Sequence, residues 1–189
     1  MANHDPETQP LVMTLVRFAL PLVSVVISLL IAFQTYATDL NVEWPEGWSS
    51  SRQPALLDAQ GQPTGSRQRA VLQDKDGNQL AAMEVTRLAV PKEHAVSIEN
   101  VIATMRKALQ FHYAQLGLLA SCTKPTETAL GDLRGLQVMC TMTARGETVL
   151  KHALVTAAGG QVAYSLEYAA VPIAFSEHLQ EFLQVRKLL

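Results

Sequence analysis

Basic residues are not in surplus: 15 Lys and Arg stand against 17 Asp and Glu in 189 residues. A nucleic-acid partner draws its affinity from phosphate neutralisation, so this balance argues against one. Aromatic residues are also scarce, at 6%, which argues against a carbohydrate platform of exposed rings. There is no acidic tail, low-complexity segment or internal repeat. Catalytic signatures are missing too. No Gly-x-Ser-x-Gly supplies a serine nucleophile at a strand-to-helix turn. No HExxH or HxH brings two imidazoles together, and Gly159-Gly160 lacks the further glycine and lysine of a phosphate loop. The sequence therefore implies no cofactor and no enzyme activity.

Charge is also missing from one long stretch, and that absence sets the compartment. From Phe18 to Phe33 the chain carries no charged residue, only Ser24, Ser28 and Pro21 among its polar or helix-breaking positions. Arg17 precedes the run and Thr35-Tyr36-Ala37 follows it, with small residues three and one before a cut after Ala37. That is the layout of an export signal over residues 1–37. Asp5 and Glu7 make the extreme amino terminus acidic, which points to a true start at Met13. The competing reading is a retained anchor, because Leu11–Phe33 is long enough for a bilayer core that needs about 20 residues. In both readings residues 38–189 form a single domain outside the cytoplasm: in the periplasm, or tethered to the inner membrane and facing it. Membrane contact is expected only through residues 11–33, and only if they are retained.

Cysteine is nearly absent. Cys122 and Cys140 are the only two, and an isolated pair in an exported domain is expected to form a disulfide. A redox pair would more usually read Cys-x-x-Cys, and a metal site would need ligands at short spacing that neither cysteine has.

Residues 39–48 read as a short edge strand and turn, with Trp44 and Trp48 flanking Pro45 and Gly47. The two indoles form either a stacking platform or, more simply, a cover for one end of the core. Residues 49–65, rich in Ser, Gln, Pro and Gly, read as an exposed connection. A hairpin follows, 67–73 and 79–90, turning at Asp76-Gly77. Asp74, Asp76 and Asn78 have the alternation of a calcium loop, but its twelfth position is Val85 instead of glutamate. Ser97 caps a helix to about Leu116, its apolar stripe running Ile98, Val101, Ile102, Met105, Ala108, Leu109, His112 and Leu116. Residues 118–124 read as a strand and 125–132 as a loop. Residues 133–143, 148–157 and 162–170 form a three-stranded meander. Pro172 ends it, and a closing helix capped by Ser176 runs to about Leu188. The fold class is α+β: one twisted antiparallel sheet with helices packed against it.

Several stretches together carry a resemblance: WPEGW, SRQRAVLQDKDGNQLAAMEVTR, FHYAQLGL, Cys122, LGDLRGLQVMCT with Cys140, and AYSLEYAA. Over residues 40–188 the chain resembles a family of small exported Gram-negative proteins of unknown function, related in fold to PsbP-like and DcrB-like domains. The resemblance implies a twisted antiparallel sheet with helices on it, and neither an activity nor catalytic residues. The acidic amino terminus departs from the pattern, which again favours Met13.

His94, His112, His152 and His178 are scattered, and His112 and His152 read as core or boundary residues. Glu84, Glu147 and Glu167 lie on strands that could be adjacent, which permits a carboxylate pair without supporting one. Two functions remain. One is a binding module for a protein or small hydrophobic ligand, its candidate face formed by Trp44, Trp48, Met105 and His112. The other is an envelope accessory or immunity-type protein acting through a surface patch.

Overall fold

Residues on alternate sides of a strand face opposite ways, so a sheet clad on both faces must be apolar on both. The strand over 147–159 has this character along residues 152–157, which are buried without interruption. The computed structural model describes residues 40–189; the segment read as an export signal lies outside the described residues. In chain order the elements are β1 Ser49–Leu57, β2 Pro63–Gln73, β3 Gln79–Ala89, α1 Ile98–Gln115, β4 Leu119–Cys122, β5 Thr126–Leu130, β6 Leu133–Ala144, β7 Glu147–Gly159, β8 Val162–Ala170, α2 Pro172–Glu177 and α3 Leu179–Leu188. The strands make one antiparallel sheet in the order β1-β2-β3-β8-β7-β6-β4, with β5 also paired to β6. The pairing of β3 with β8, Ala81 opposite Ala170 through Ala89 opposite Val162, joins the amino-terminal strands to the meander.

One face carries Met83, Val85, Ala153, Val155, Leu166 and Tyr168, and against it pack Phe175, Phe182 and Val185 of α2 and α3. Leu40, Val42 and Trp48 complete this core. The Tyr168 hydroxyl, buried here, donates to the carbonyls of Ala174 and Phe175 at 3.0 and 3.2 Å. The opposite face carries Leu136, Val138, Cys140, Met142 and Leu154, covered by Ile98, Ile102, Met105, Leu109 and Tyr113 of α1. The strand faces expected from alternation in β3, β6 and β8 are those observed.

Four local expectations are corrected. Residues 40–48 form no strand; they are irregular chain with a turn at Glu46-Gly47. Residues 49–65 are not a loop but most of the β1–β2 hairpin. Its turn is held by the Asp58 carboxylate, which accepts from the amides of Gln60 and Gln62. The polar composition reflects an edge strand exposed to solvent, and Pro54 sits where the β1 register shifts between Gln53 and Leu56. Residues 126–130 form β5 because Leu130 is buried in the core and the strand finds a free edge on the first half of β6. The closing helix is two helices that meet at His178. Pro172 occupies the first turn of α2, and Ser176 lies inside α2, its hydroxyl donating back to the Pro172 carbonyl instead of capping a start.

Candidate functional site

The α1 helix begins where Ser97 Oγ accepts the Asn100 amide and stops at Gly117, whose φ of +77° only glycine adopts freely. It packs over β4, β6 and β7 and leaves β3 and β8 bare. The reason lies in side-chain size. On this face β6 and β7 offer Leu136, Val138, Met142 and Leu154, whereas β3 and β8 offer Ala82, Glu84, Thr86, Ser165, Glu167 and Ala169. Small and polar residues cannot fill the space beside a helix. A cleft of about 520 Å³ results, walled by Met105, Ala108, Leu109, His112 and Tyr113 and floored by Ala82, Glu84, Leu154, Glu167 and Ala169. Small-molecule sites span about 300–1,000 Å³ and combine apolar walls with a few convergent polar groups.

The polar groups here form a chain. Tyr113 Oη lies 3.3 Å from His152 Nδ1, and His152 Nε2 lies 3.1 Å from Glu167 Oε2. A neutral imidazole has one donor and one acceptor nitrogen. With Glu167 ionised, both contacts are hydrogen bonds when Nε2–H donates to the carboxylate and Nδ1 accepts from the tyrosine. His152 is 6% exposed, and the Tyr113 ring stands nearly edge-on to it, at 80° with 6.2 Å between centroids. Burial, and then the Glu167 charge, push the Tyr113 hydroxyl above its ordinary value, so it remains a donor. Directly opposite Glu167 on β3 is Glu84. Burial raises the Glu84 carboxyl above its ordinary value; Arg67 opposes this, Glu167 adds to it, and Arg69 opposes it more weakly. The nearest cation, Arg67 Nη1, is 3.7 Å from Glu84 Oε1.

The residues singled out from sequence do not form one face. Met105 and His112 border the cleft, whereas Trp44 and Trp48 pack on the other side of the sheet. Trp48 is buried, donating to Glu181 Oε2 at 2.6 Å and meeting the His178 ring edge-on at 6.2 Å. Trp44 donates to Gln68 Oε1. The tryptophans therefore cover the core. His112 is exposed at the cleft rim, and Tyr113 takes the inward position, because the buried stripe runs 98, 102, 105, 109, 113. Cys122 and Cys140 are joined, their Cα atoms 4.0 Å apart on directly opposed positions of β4 and β6. The Asp74 carboxylate is occupied by its own turn: it accepts the Asp76 and Asn78 amides and the Asn78 side chain. Among the described residues no group of three or more His, Cys, Asp or Glu is disposed to hold a metal. No helix among them is long and apolar enough to cross a membrane.

Of the cleft's polar set, Tyr113, His152 and Glu167 were not combined by sequence reasoning. Part of the signal was present. The tight Gly160-Gln161 turn sets Gly159 opposite Val162, hence Leu154 opposite Glu167 and His152 opposite Ala169. His152 and Glu167 are thereby diagonal neighbours on one face.

The architecture is that of a PsbP-like α+β domain with an open cleft under one helix. The chain belongs to the family described as Domain of unknown function (DUF4946), whose model matches residues 39–189. No curated protein matches it in sequence. Its fold is similar to that of the cyanobacterial PsbP (CyanoP) of Synechocystis sp. PCC 6803: 10% identity, TM-score 0.51, with 76% of this chain and 81% of that one covered. Weaker similarities, both at TM-score 0.42, are to PA94, a protein of unknown function from Pseudomonas aeruginosa, and to LpqN of Mycobacterium tuberculosis, involved in cell envelope biogenesis. PA94 is 11% identical, with 80% and 85% of the two chains covered; LpqN is 12% identical, with 79% and 80% covered.

Proposed function

We propose that this protein is an exported, non-catalytic binding module that holds a small, largely apolar ligand between α1 and the sheet. The cleft is the observation that carries the reading: its walls are Met105, Ala108 and Leu109, and its polar groups converge on one floor. The Cys122–Cys140 disulfide supports an oxidising compartment, hence export to the periplasm. An apolar fluorescent dye should bind the domain, and Leu109→Trp, which fills the cleft from its wall, should abolish that binding while circular dichroism reports an intact fold. Dye binding unaffected by L109W in the folded protein would refute the reading.

A second reading, an envelope accessory or immunity-type protein, is favoured by exposed Phe111, Leu116 and Leu119, which are 67, 61 and 73% accessible around the end of α1 and the start of β4. A pull-down with the exported domain tests it: a stoichiometric protein partner lost on Leu119→Ser would support this reading, and a partner retained by L119S would refute it.

A further inference from the structure

From the cleft floor we infer the chemical class of the ligand: an amphiphile with a cationic head, such as a primary ammonium on an alkyl or aryl body. The inference rests on the cleft being a binding site. Moving outward from α1, the floor presents His152 and Leu154 on β7, Glu167 and Ala169 on β8, Glu84 and Ala82 on β3, and Arg69 on β2. The two carboxylates occupy its centre. They stand directly opposite each other across β3 and β8, an arrangement in which like charges repel.

Each arginine near the carboxylates spends its hydrogen bonds elsewhere, and only Arg67 Nη1, 3.7 Å from Glu84 Oε1, makes a loose ion pair with them. Arg69 Nη2 donates to Gln79 Oε1 at 3.2 Å, and Arg67 Nη2 donates to the Pro54 carbonyl. Glu167 uses Oε2 to accept from His152. Glu84 accepts no hydrogen bond from any of the described residues, and its side chain is 27% exposed. The acceptor capacity left over at the centre of an apolar cleft is therefore that of Glu84 and of the second Glu167 oxygen. An ammonium brings three donors and a positive charge, and the contacts it makes to carboxylates are of the stronger, charge-assisted kind. Its hydrocarbon body would lie along Met105, Leu109, Leu150 and Leu154. An anionic head would instead meet two carboxylates, with Arg69 at the outer rim already bonded and Arg67 already ion-paired to Glu84.

Decylamine, decanol and decanoate share one chain length and differ in head charge. Each is titrated against the apolar dye on the exported protein. The expected order of affinity is decylamine, then decanol, then decanoate. Glu84→Gln should lower the decylamine-to-decanol preference about tenfold or more, as loss of one charge-assisted contact requires. Glu167→Gln, checked for fold by circular dichroism, should lower it as well. Glu147→Gln, the same charge change at an exposed residue that does not line the cleft, should not. Decanoate competing as well as decylamine overturns the inference, and so does a preference unchanged in E84Q. Decanol displacing the dye with decylamine no better leaves the binding module standing and removes only the cationic head. Displacement by none of the three removes both.

Discussion

His152 is the only histidine among the described residues that is buried, and both of its ring nitrogens are engaged. Truncating it strands the Tyr113 hydroxyl and a Glu167 oxygen together, and leaves a void. His152→Ala should cost about 2–3 kcal/mol in urea unfolding, whereas exposed His112→Ala should stay within about 0.5 kcal/mol. Equal effects from the two would mean that the chain of hydrogen bonds contributes nothing. Glu84 gives a prediction in pH. Folding raises its carboxyl above the ordinary 4.5, so the folded protein holds this proton more tightly than the unfolded chain does. The stability it contributes is therefore fully present below about 4.5 and is lost as the pH rises through the higher folded value. Glu84→Gln should gain on the wild type between acid and neutral pH, read as urea midpoints across that range. Midpoint curves that run parallel would show that Glu84 titrates alike in both states.

Among the elements, β4 is the one most dependent on a covalent bond. It is four residues long, lies at the sheet edge, and buries none of them. Its Cys122 is tied to Cys140, whose own side chain is 2% exposed in the α1-side core. The link joins positions 18 apart in sequence, for which the chain-entropy model gives roughly 3 kcal/mol. Cys140→Ala should lower stability by about 2–5 kcal/mol under oxidising conditions, and the loss should be largely reproduced by a reductant acting on the wild type. Indifference to both would show that β4 is held by its ladder alone. The same element scale explains why β1 and β5 escaped sequence reading. An edge strand with solvent on its faces has no apolar alternation, so SSSRQPALL reads as a loop and becomes a strand only because β2 offers it a ladder of partners.

For the whole molecule, the apolar run before residue 38 predicts that the protein recovered after export begins at Thr38. Intact-mass analysis reads this directly, and a mass that includes Leu11–Phe33 would mean a retained anchor. What the sequence by itself determined is everything carried by short-range periodicity and turn chemistry. Examples are the inward faces of β3, β6 and β8, the α1 helix between Ser97 and Gly117, and the hairpin turn at Asp76-Gly77. A disulfide was legible too, because two cysteines in a domain read as exported leave little choice. The meander even encoded the diagonal approach of His152 to Glu167 through its Gly160-Gln161 turn. Only the tertiary structure decided that Glu84 faces Glu167, since 82 residues separate the two and no local rule sets the β3–β8 register. It alone brought Tyr113 instead of His112 inward, because one residue of helix rotation depends on which strands α1 covers. It alone sent the tryptophans to the far side of the sheet. A cleft exists because large side chains on β6 and β7 lie next to small and polar ones on β8 and β3. That adjacency is a property of strand order, and strand order is not written in any one strand.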